Sequence, residues 1–403
     1  MRHSLIATND TLKIGKLTVY VDNNGELIRQ VKNQKAYPGI KLLVDENSQP
    51  VFHVNAFLLS RRIVDNLKDI EPLAKAMLLY FRFLATNNME WDDLDAPLDR
   101  NPIFLFRNHL HQLISGGVYH KTTAASYLGV VRRFYMFCHR HRYIDRLPFQ
   151  VEGINKYGKS YTDCSIQAPS GKRRLKPLNG RELGYVYETW NAVSIEFRLL
   201  TLLAQYSGLR SIEAADIKKR LFVIPKSFKG NTVTEMRIGP SNNCKTKFDT
   251  DREISMPVWL IRLFNEYHES QRYKQRASEY CEITGDYDIP AVLTINSQPF
   301  STKTMTALWN KLSKAIRAKF DPHFNHKFHD NRATFGCNKL DALLAVKGIT
   351  KGQALATLKA EMGHTKLDTT MLYLEHWEGH PELNAATEVM MDFDEKILSG
   401  MEF

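Results

Sequence analysis

An arginine, a His-x-x-Arg, a Gly-His and a tyrosine follow one another in the C-terminal half of this chain: Arg210, then His329 and Arg332, then His364 and Tyr373. These residue types suit a phosphodiester. A guanidinium grips nonbridging phosphate oxygens through charge-assisted bonds of fixed geometry. A tyrosine hydroxyl can attack phosphorus and keep the bond energy in a covalent phosphotyrosine. Free tyrosine ionises only near pH ~10, so the attack needs a neighbouring base. Loss of one charged donor from such a site raises the barrier by on the order of 3 kcal/mol.

The chain that positions these groups has 403 residues, too many for one ordinary core, which points to about two or three domains. Lys and Arg number 55 against 44 Asp and Glu, a net charge of +11. The excess is mixed with acids, so it suits a folded protein that meets a polyanion rather than a disordered basic tail. Cys138, Cys164, Cys244, Cys281 and Cys337 are odd in number, scattered and without a Cys-x-x-Cys pair, so neither a disulfide framework nor a zinc site is indicated. The N-terminus lacks a signal-peptide apolar core. Apolar runs such as Ala76 to Phe81 fall well short of the ~18 residues a membrane span needs. The expectation is a cytoplasmic protein with no membrane partner.

The patterning divides the chain. Residues 1–53 read as a β-rich leader, with an alternating strand at Lys16–Val21, a turn at Asp22-Asn23-Asn24-Gly25, a return at Glu26–Ile28 and a strand at Ile40–Val44. It is either a small domain or an apron on the helices after it, a candidate DNA- or protein-contact region. Residues 54–150 read as helices. Leu73, Met77, Leu78, Phe81 and Leu84 form one apolar face, and Tyr127, Val130, Val131, Phe134 and Tyr135 a second. The opposite side of the second carries Arg132, Arg133, Arg140 and Arg142, either a solvated face or phosphate contacts. Residues 151–177 read as a linker, basic at Lys172, Arg173 and Arg174, either a hinge or a crossing of a DNA backbone. Residues 178–403 hold a buried helix at Phe197–Tyr206, strands at Leu221–Ile224, Val233–Ile238 and Glu253–Met256, then mainly helices. His323, His326 and His329 step by three, but no matching Cys or carboxylate cluster supports a metal site. Gly379 and Pro381 argue against a zinc helix at His376 and His380.

Gly208-Leu209-Arg210-Ser211-Ile212-Glu213 resembles the first arginine box of the tyrosine recombinase (phage integrase) family, in which a glutamate three residues on supports the arginine. His329-Asp330-Asn331-Arg332 resembles its His-x-x-Arg box, and Glu361 to Tyr373 its Gly-His box followed by the nucleophile. Residues 55–143 resemble its helical core-binding domain, so the likeness covers most of the chain but not the leader. Asn331 and Ala333 stand where the family usually has Leu and His. Neither position is catalytic, so the departure bears on subfamily rather than activity.

The resemblance implies a multidomain protein: the β-rich leader, an all-α core-binding domain, and a mainly α (α+β) catalytic domain with a small antiparallel sheet, forming a clamp around duplex DNA. It implies a site-specific DNA recombinase serving mobile-element integration and excision through a 3′-phosphotyrosyl intermediate. Arg210 and Arg332 would clamp the phosphate, Glu213 would support Arg210, and Tyr373 would attack. His329 would take the proton, and His364 would hydrogen-bond the phosphate. A lysine on a hairpin between the arginine boxes would protonate the leaving 5′-hydroxyl; Lys245 is the first choice and Lys247 the second. With these groups neutralising the phosphate, no metal or cofactor is called for. The implied partners are double-stranded DNA, further copies of the chain in a tetramer, and DNA-bending or directionality proteins, at a bacterial nucleoid. The tail beyond Tyr373, with Val389, Met390, Phe393 and Ile397 at helical steps, would pack on its own domain or on a neighbouring protomer. A type IB topoisomerase and a non-catalytic DNA-binding protein are the alternatives.

Overall fold

The computed structural model describes residues 3–8, 12–21, 26–37, 39–97, 100–154, 160–168 and 174–379. The chain divides into two compact units, Met1–Gly171 and Lys172–Phe403. The turn expected at residues 22–25 and the apolar tail positions Val389, Met390, Phe393 and Ile397 lie outside the described residues.

The first unit opens with β1 (Ser4–Ala7), β2 (Leu12–Val21), β3 (Leu27–Tyr37) and β4 (Lys41–Val44). They form two antiparallel pairs, β1 with β4 and β2 with β3. Four helices come next: α1 (Phe52–Ile63), α2 (Glu71–Thr86), α3 (Pro102–Ser115) and α4 (Lys121–Arg140). The two apolar faces meet. Met77, Tyr80, Phe81 and Leu84 of α2 share a core with Val130, Val131, Phe134 and Tyr135 of α4. The buried hydroxyls find partners, Tyr80 and Tyr135 lying 2.5 Å apart and Tyr135 donating to the Trp91 carbonyl. The leader is an apron, because Leu43 of β4 is fully buried in this core. Asn55 of α1 secures it, accepting from the Leu43 amide at 2.7 Å and donating to the Leu43 carbonyl at 2.9 Å. The Leu43 carbonyl also accepts from the Val51 amide, so without Asn55 it is the buried Leu43 N–H that would be left unpaired.

The stretch 151–177 is less of a linker than its composition predicts. β5 (Val151–Ile154) and β6 (Ser160–Thr162) pair as a hairpin, and Cys164 and Ile166 enter the helical core. Gly153 is a packing position: a Cβ there would meet the Tyr161 hydroxyl at 2.5 Å.

In the second unit, helices α5 (Gly180–Glu188), α6 (Ile195–Tyr206) and α7 (Ser211–Asp216) precede the hairpin of β7 (Thr232–Ile238) and β8 (Arg252–Pro257). Then come α8 (Val258–Glu269), α9 (Gln271–Thr284), α10 (Thr302–Lys319), α11 (Asp330–Ala345), α12 (Lys351–Met362) and α13 (Leu367–Gly379). The main core runs from α5 through α10, around Phe197, Phe264, Tyr267 and Trp309. A separate small cluster holds α11, α12 and α13 together.

The strand expected at Leu221–Ile224 does not form. A 3₁₀ turn occupies Lys219–Leu221. Phe222 does turn inward, stacking on Phe264 with centroids 4.3 Å apart, while Val223 stays exposed. The segment lacks a partner strand, and Pro225 comes directly after it. Otherwise the mainly helical second unit with one small antiparallel hairpin matches the expected fold class. Among the described residues no helix is long and apolar enough to cross a membrane.

Candidate active site

Arg210 owes its position to a turn that only glycine serves well. α6 ends at Ser207, and Gly208 follows with φ +60. A Cβ at Gly208 would come within 2.4 Å of the Phe335 ring of α11. The chain then reverses into α7, with Arg210 as its N-cap residue. Glu213, 1% exposed, accepts from the Arg210 amide and from Arg210 Nη1, each at 2.8 Å.

The last turn of α12 is where the distant parts converge. Its final carbonyls have no partner within the helix. Three guanidinium groups supply the donors. Arg252 Nη1 donates to the Glu361 carbonyl at 2.5 Å, and Arg332 Nη2 donates to that of Met362. Arg210 Nη2 donates to Met362 and Gly363, at 3.3 and 3.1 Å. Arg332 also donates to the Gly208 carbonyl, tying α11 to the α6–α7 turn. Arg252 Nη2 donates to Glu213 at 2.5 Å. Gly363 closes α12 with φ +58, and a Cβ there would lie 2.8 Å from Arg252 Cδ. The chain can therefore pass directly over the arginines on its way to His364.

Tyr373 lies on α13, 4% exposed, and its ring rests on Gly336 of α11, where a Cβ would meet Tyr373 Cε1 at 2.3 Å. The His364 ring stacks beside it, centroids 5.8 Å apart, and His364 Nδ1 is 3.0 Å from the buried Thr370 hydroxyl. His329 immediately precedes α11 and keeps an exposed side chain. Asn331, in the place of a usual leucine, is fully buried; it accepts from Gln205 and donates to the Phe328 carbonyl, both at 2.9 Å.

Charge sets the protonation of this cluster. Burial and the positive charges of Arg332, Arg210, Arg252 and His329 bring His364 down to about 3. Although His329 is exposed as a residue, partial desolvation of its ring, with the charges of Arg332, Arg210 and Lys247, lowers it too. Both rings are therefore neutral at pH 7, and His364, held so low, is a poor proton acceptor. Burial and the neighbouring Arg252 and Arg210 bring Arg332 down to about 9, which still leaves it charged at neutral pH. Burial raises Tyr373, against the pull of Arg332 and Arg210. Burial would also raise Glu213, but Arg252 and Arg210 outweigh it and hold that carboxyl below its usual range.

The two candidate lysines differ in surroundings. The Lys245 side chain is 72% exposed, with Nζ 3.6 Å from Asp216 Oδ1. Lys247 lies over the Phe248 ring, and its charge reaches His329. Of the candidate DNA contacts, Arg132 is half-buried and donates to the Thr162 hydroxyl at 2.8 Å, so it braces the β5–β6 hairpin. Arg133 is exposed as a residue; partial desolvation and then the charges of Arg61 and Arg132 lower its pKa from the ordinary arginine value. Arg174 is exposed; Lys172 and Arg173 lie outside the described residues.

Sequence reasoning passed over Arg252, Glu361 and Lys339. Glu361 accepts from the Ser255 amide at 3.0 Å and from Lys339 Nζ at 3.0 Å. One signal was present: in β8, Arg252 is in phase with the buried Ile254 and Met256, and a charge on a buried face requires a partner.

No protein-family model and no curated protein matches this chain. Solved structures do. The XerH site-specific recombinase bound to palindromic difH substrate, a post-cleavage complex, aligns over 78% of this chain and 78% of its own, with a TM-score of 0.50 and 16% identity. The Tn1549 transposon integrase in complex with transposon right end DNA aligns over 80% and 94%, with a TM-score of 0.50 and 13% identity. The same integrase with a circular intermediate DNA gives a TM-score of 0.51 at 12% identity. At these identities the likeness speaks to architecture, and the chain has the fold of the tyrosine recombinases.

Proposed function

We propose that this chain is a site-specific DNA recombinase that cleaves and rejoins duplex DNA through a covalent 3′-phosphotyrosyl intermediate, serving mobile-element integration and excision. The observation that carries the reading is the convergence of Arg210 and Arg332 on the backbone turn that leads into His364 and Tyr373. Arg210, Arg252 and Arg332 surround one carboxylate, Glu213, so this cluster holds a positive surplus suited to an anion. That XerH and the Tn1549 integrase were solved with DNA supports a duplex as the substrate.

In this reading Arg210 and Arg332 turn to the nonbridging oxygens of the scissile phosphate. Tyr373 Oη attacks phosphorus, and its proton passes to neutral His329. With the Thr370 hydroxyl donating to Nδ1, His364 carries its proton on Nε2 and offers it to a phosphate oxygen. The bond to the 5′-oxygen breaks, and a lysine protonates that oxygen. Strand transfer reverses these steps on a new 5′-hydroxyl. The high intrinsic pKa of Tyr373 makes the arginine–phosphate contact part of its activation, since bound cations favour the phenolate.

Covalent trapping tests this. The protein is incubated in EDTA with nicked duplexes tiled from the DNA flanking its gene, then denatured. We expect an adduct on a specific duplex that is absent with Tyr373→Phe. Specific binding without an adduct would favour a non-catalytic DNA-binding protein, and an adduct surviving Tyr373→Phe would assign another nucleophile. A 5′-bridging phosphorothiolate separates the lysines, because a thiolate leaves without a proton: this substrate restores cleavage to whichever of Lys245→Ala and Lys247→Ala lacks the acid.

A further inference from the structure

Arg252 belongs to none of the motifs that mark the site, yet it ties Glu213 directly to the last turn of α12. Its side chain is 6% exposed. Its two terminal nitrogens are taken, one by Glu213 and one by the Glu361 carbonyl, each at 2.5 Å. Arg332 holds no carboxylate, only the Gly208 and Met362 carbonyls. Arg210 shares Glu213 with Arg252, but its carbonyl bonds, to Met362 and Gly363, are longer at 3.3 and 3.1 Å. A phosphate oxygen is an anionic acceptor and competes well with a neutral carbonyl for the same donor.

We propose that Arg252 is a positioning residue of the phosphate site, holding Glu213 and the last turn of α12 while Arg210 and Arg332 exchange those carbonyls for phosphate oxygens. The inference rests on the recombinase reading. If all three arginines released the turn together, the carbonyls of residues 361–363 would be left without donors, and the segment leading to His364 would lose its anchor. Arg252 also lies close enough to depress His364, as do Arg332, Arg210 and His329, with the Tyr373 ring alongside. Its removal therefore reaches both the geometry and the protonation of the site without touching DNA.

The test uses the full-length chain and the nicked duplex that yields the adduct. For Arg252→Gln we expect adduct formation at saturating DNA to fall about 100-fold, the scale of a small displacement of reacting groups, with DNA affinity within about threefold of wild type. In the free protein, NMR titration of the His364 ring should show an upward shift in Arg252→Gln and none in Arg252→Lys, which keeps the charge. Arg252→Lys should recover only part of the rate, because an ammonium cannot span Glu213 and the Glu361 carbonyl in one plane. If Arg252→Gln does not fold, the partial rate of Arg252→Lys at an unshifted His364 titration carries the decision. Cleavage at the wild-type rate would overturn the proposal. So would a loss that only tracks the unfolded fraction, with His364 titrating as in wild type. Absence of an adduct with wild type would instead refute the recombinase reading itself.

Discussion

The second unit contains two apolar cores that differ in the polar ties around them. The main one, around Phe197, Phe264, Tyr267 and Trp309, is apolar packing, non-directional and indifferent to small anions. The cluster of α11, α12 and α13 is smaller, and much of its attachment runs through guanidinium–carbonyl bonds at the end of α12. Such bonds contribute about 1.5–3 kcal/mol each when buried, but they can be traded for a better acceptor. The candidate nucleophile sits in the second region. If the proposed function holds, the contrast teaches that an incoming phosphate would act on the part of the unit carrying Tyr373 and leave the apolar scaffold beneath it unchanged.

The sharpest way to break this contrast is Arg332→Gln. It removes a proposed phosphate donor and the guanidinium that serves the Gly208 carbonyl, the Met362 carbonyl keeping Arg210, so adduct formation should fall by about 10²–10³-fold; a loss below tenfold would place Arg332 away from the chemistry. Trp309→Ala acts on the apolar side. It should lower unfolding stability by about 3–5 kcal/mol in denaturant titration, while the fraction still folded cleaves at the wild-type rate. A changed rate per folded molecule would mean that the two regions are mechanically one.

Gly336→Ala addresses the seam beneath the tyrosine. A methyl there collides with Tyr373, so we expect a stability cost of about 1–3 kcal/mol from overpacking and a ring displaced from His364, seen as lost cross-relaxation between them. Wild-type stability with the ring contact intact would show that α13 yields freely.

The remaining effect concerns pH. His326 bridges α5 and α11, 3.0 Å from Glu182 and 3.3 Å from Asp330. Against the cost of burial, Asp330 and Glu182 raise it to about 9. Its folded value exceeds the unfolded 6.5, so the stabilisation is complete below that pH and is lost as pH rises through about 9. We expect up to about 3 kcal/mol, absent in His326→Gln. Equal pH dependence of the two proteins would remove the histidine from the balance.

The local parts of this protein were readable from the chain. The helical faces of α2 and α4 follow from three- and four-residue spacing, because each face is set by the geometry of one element. Gly208 next to Arg210, with Glu213 one turn later, is likewise local, and the structure keeps that contact inside one turn. The 151–162 hairpin was not readable, since Gly153 owes its place to Tyr161 across the pair rather than to a bend. Nor was the loss of a strand at Leu221–Ile224, because alternation marks a face but does not supply a partner.

By itself, then, the sequence determined which side chains could handle a phosphate, on which short turns they sit, and the class of fold that carries them. Tertiary structure alone decided that Arg252 meets Glu213 across 39 residues and the Glu361 carbonyl across 109, and that the Tyr373 ring rests on Gly336. The physical reason is range. Turn and helix preferences act over a few residues, whereas the partner of a buried charge is whichever group the packed chain brings within hydrogen-bond distance.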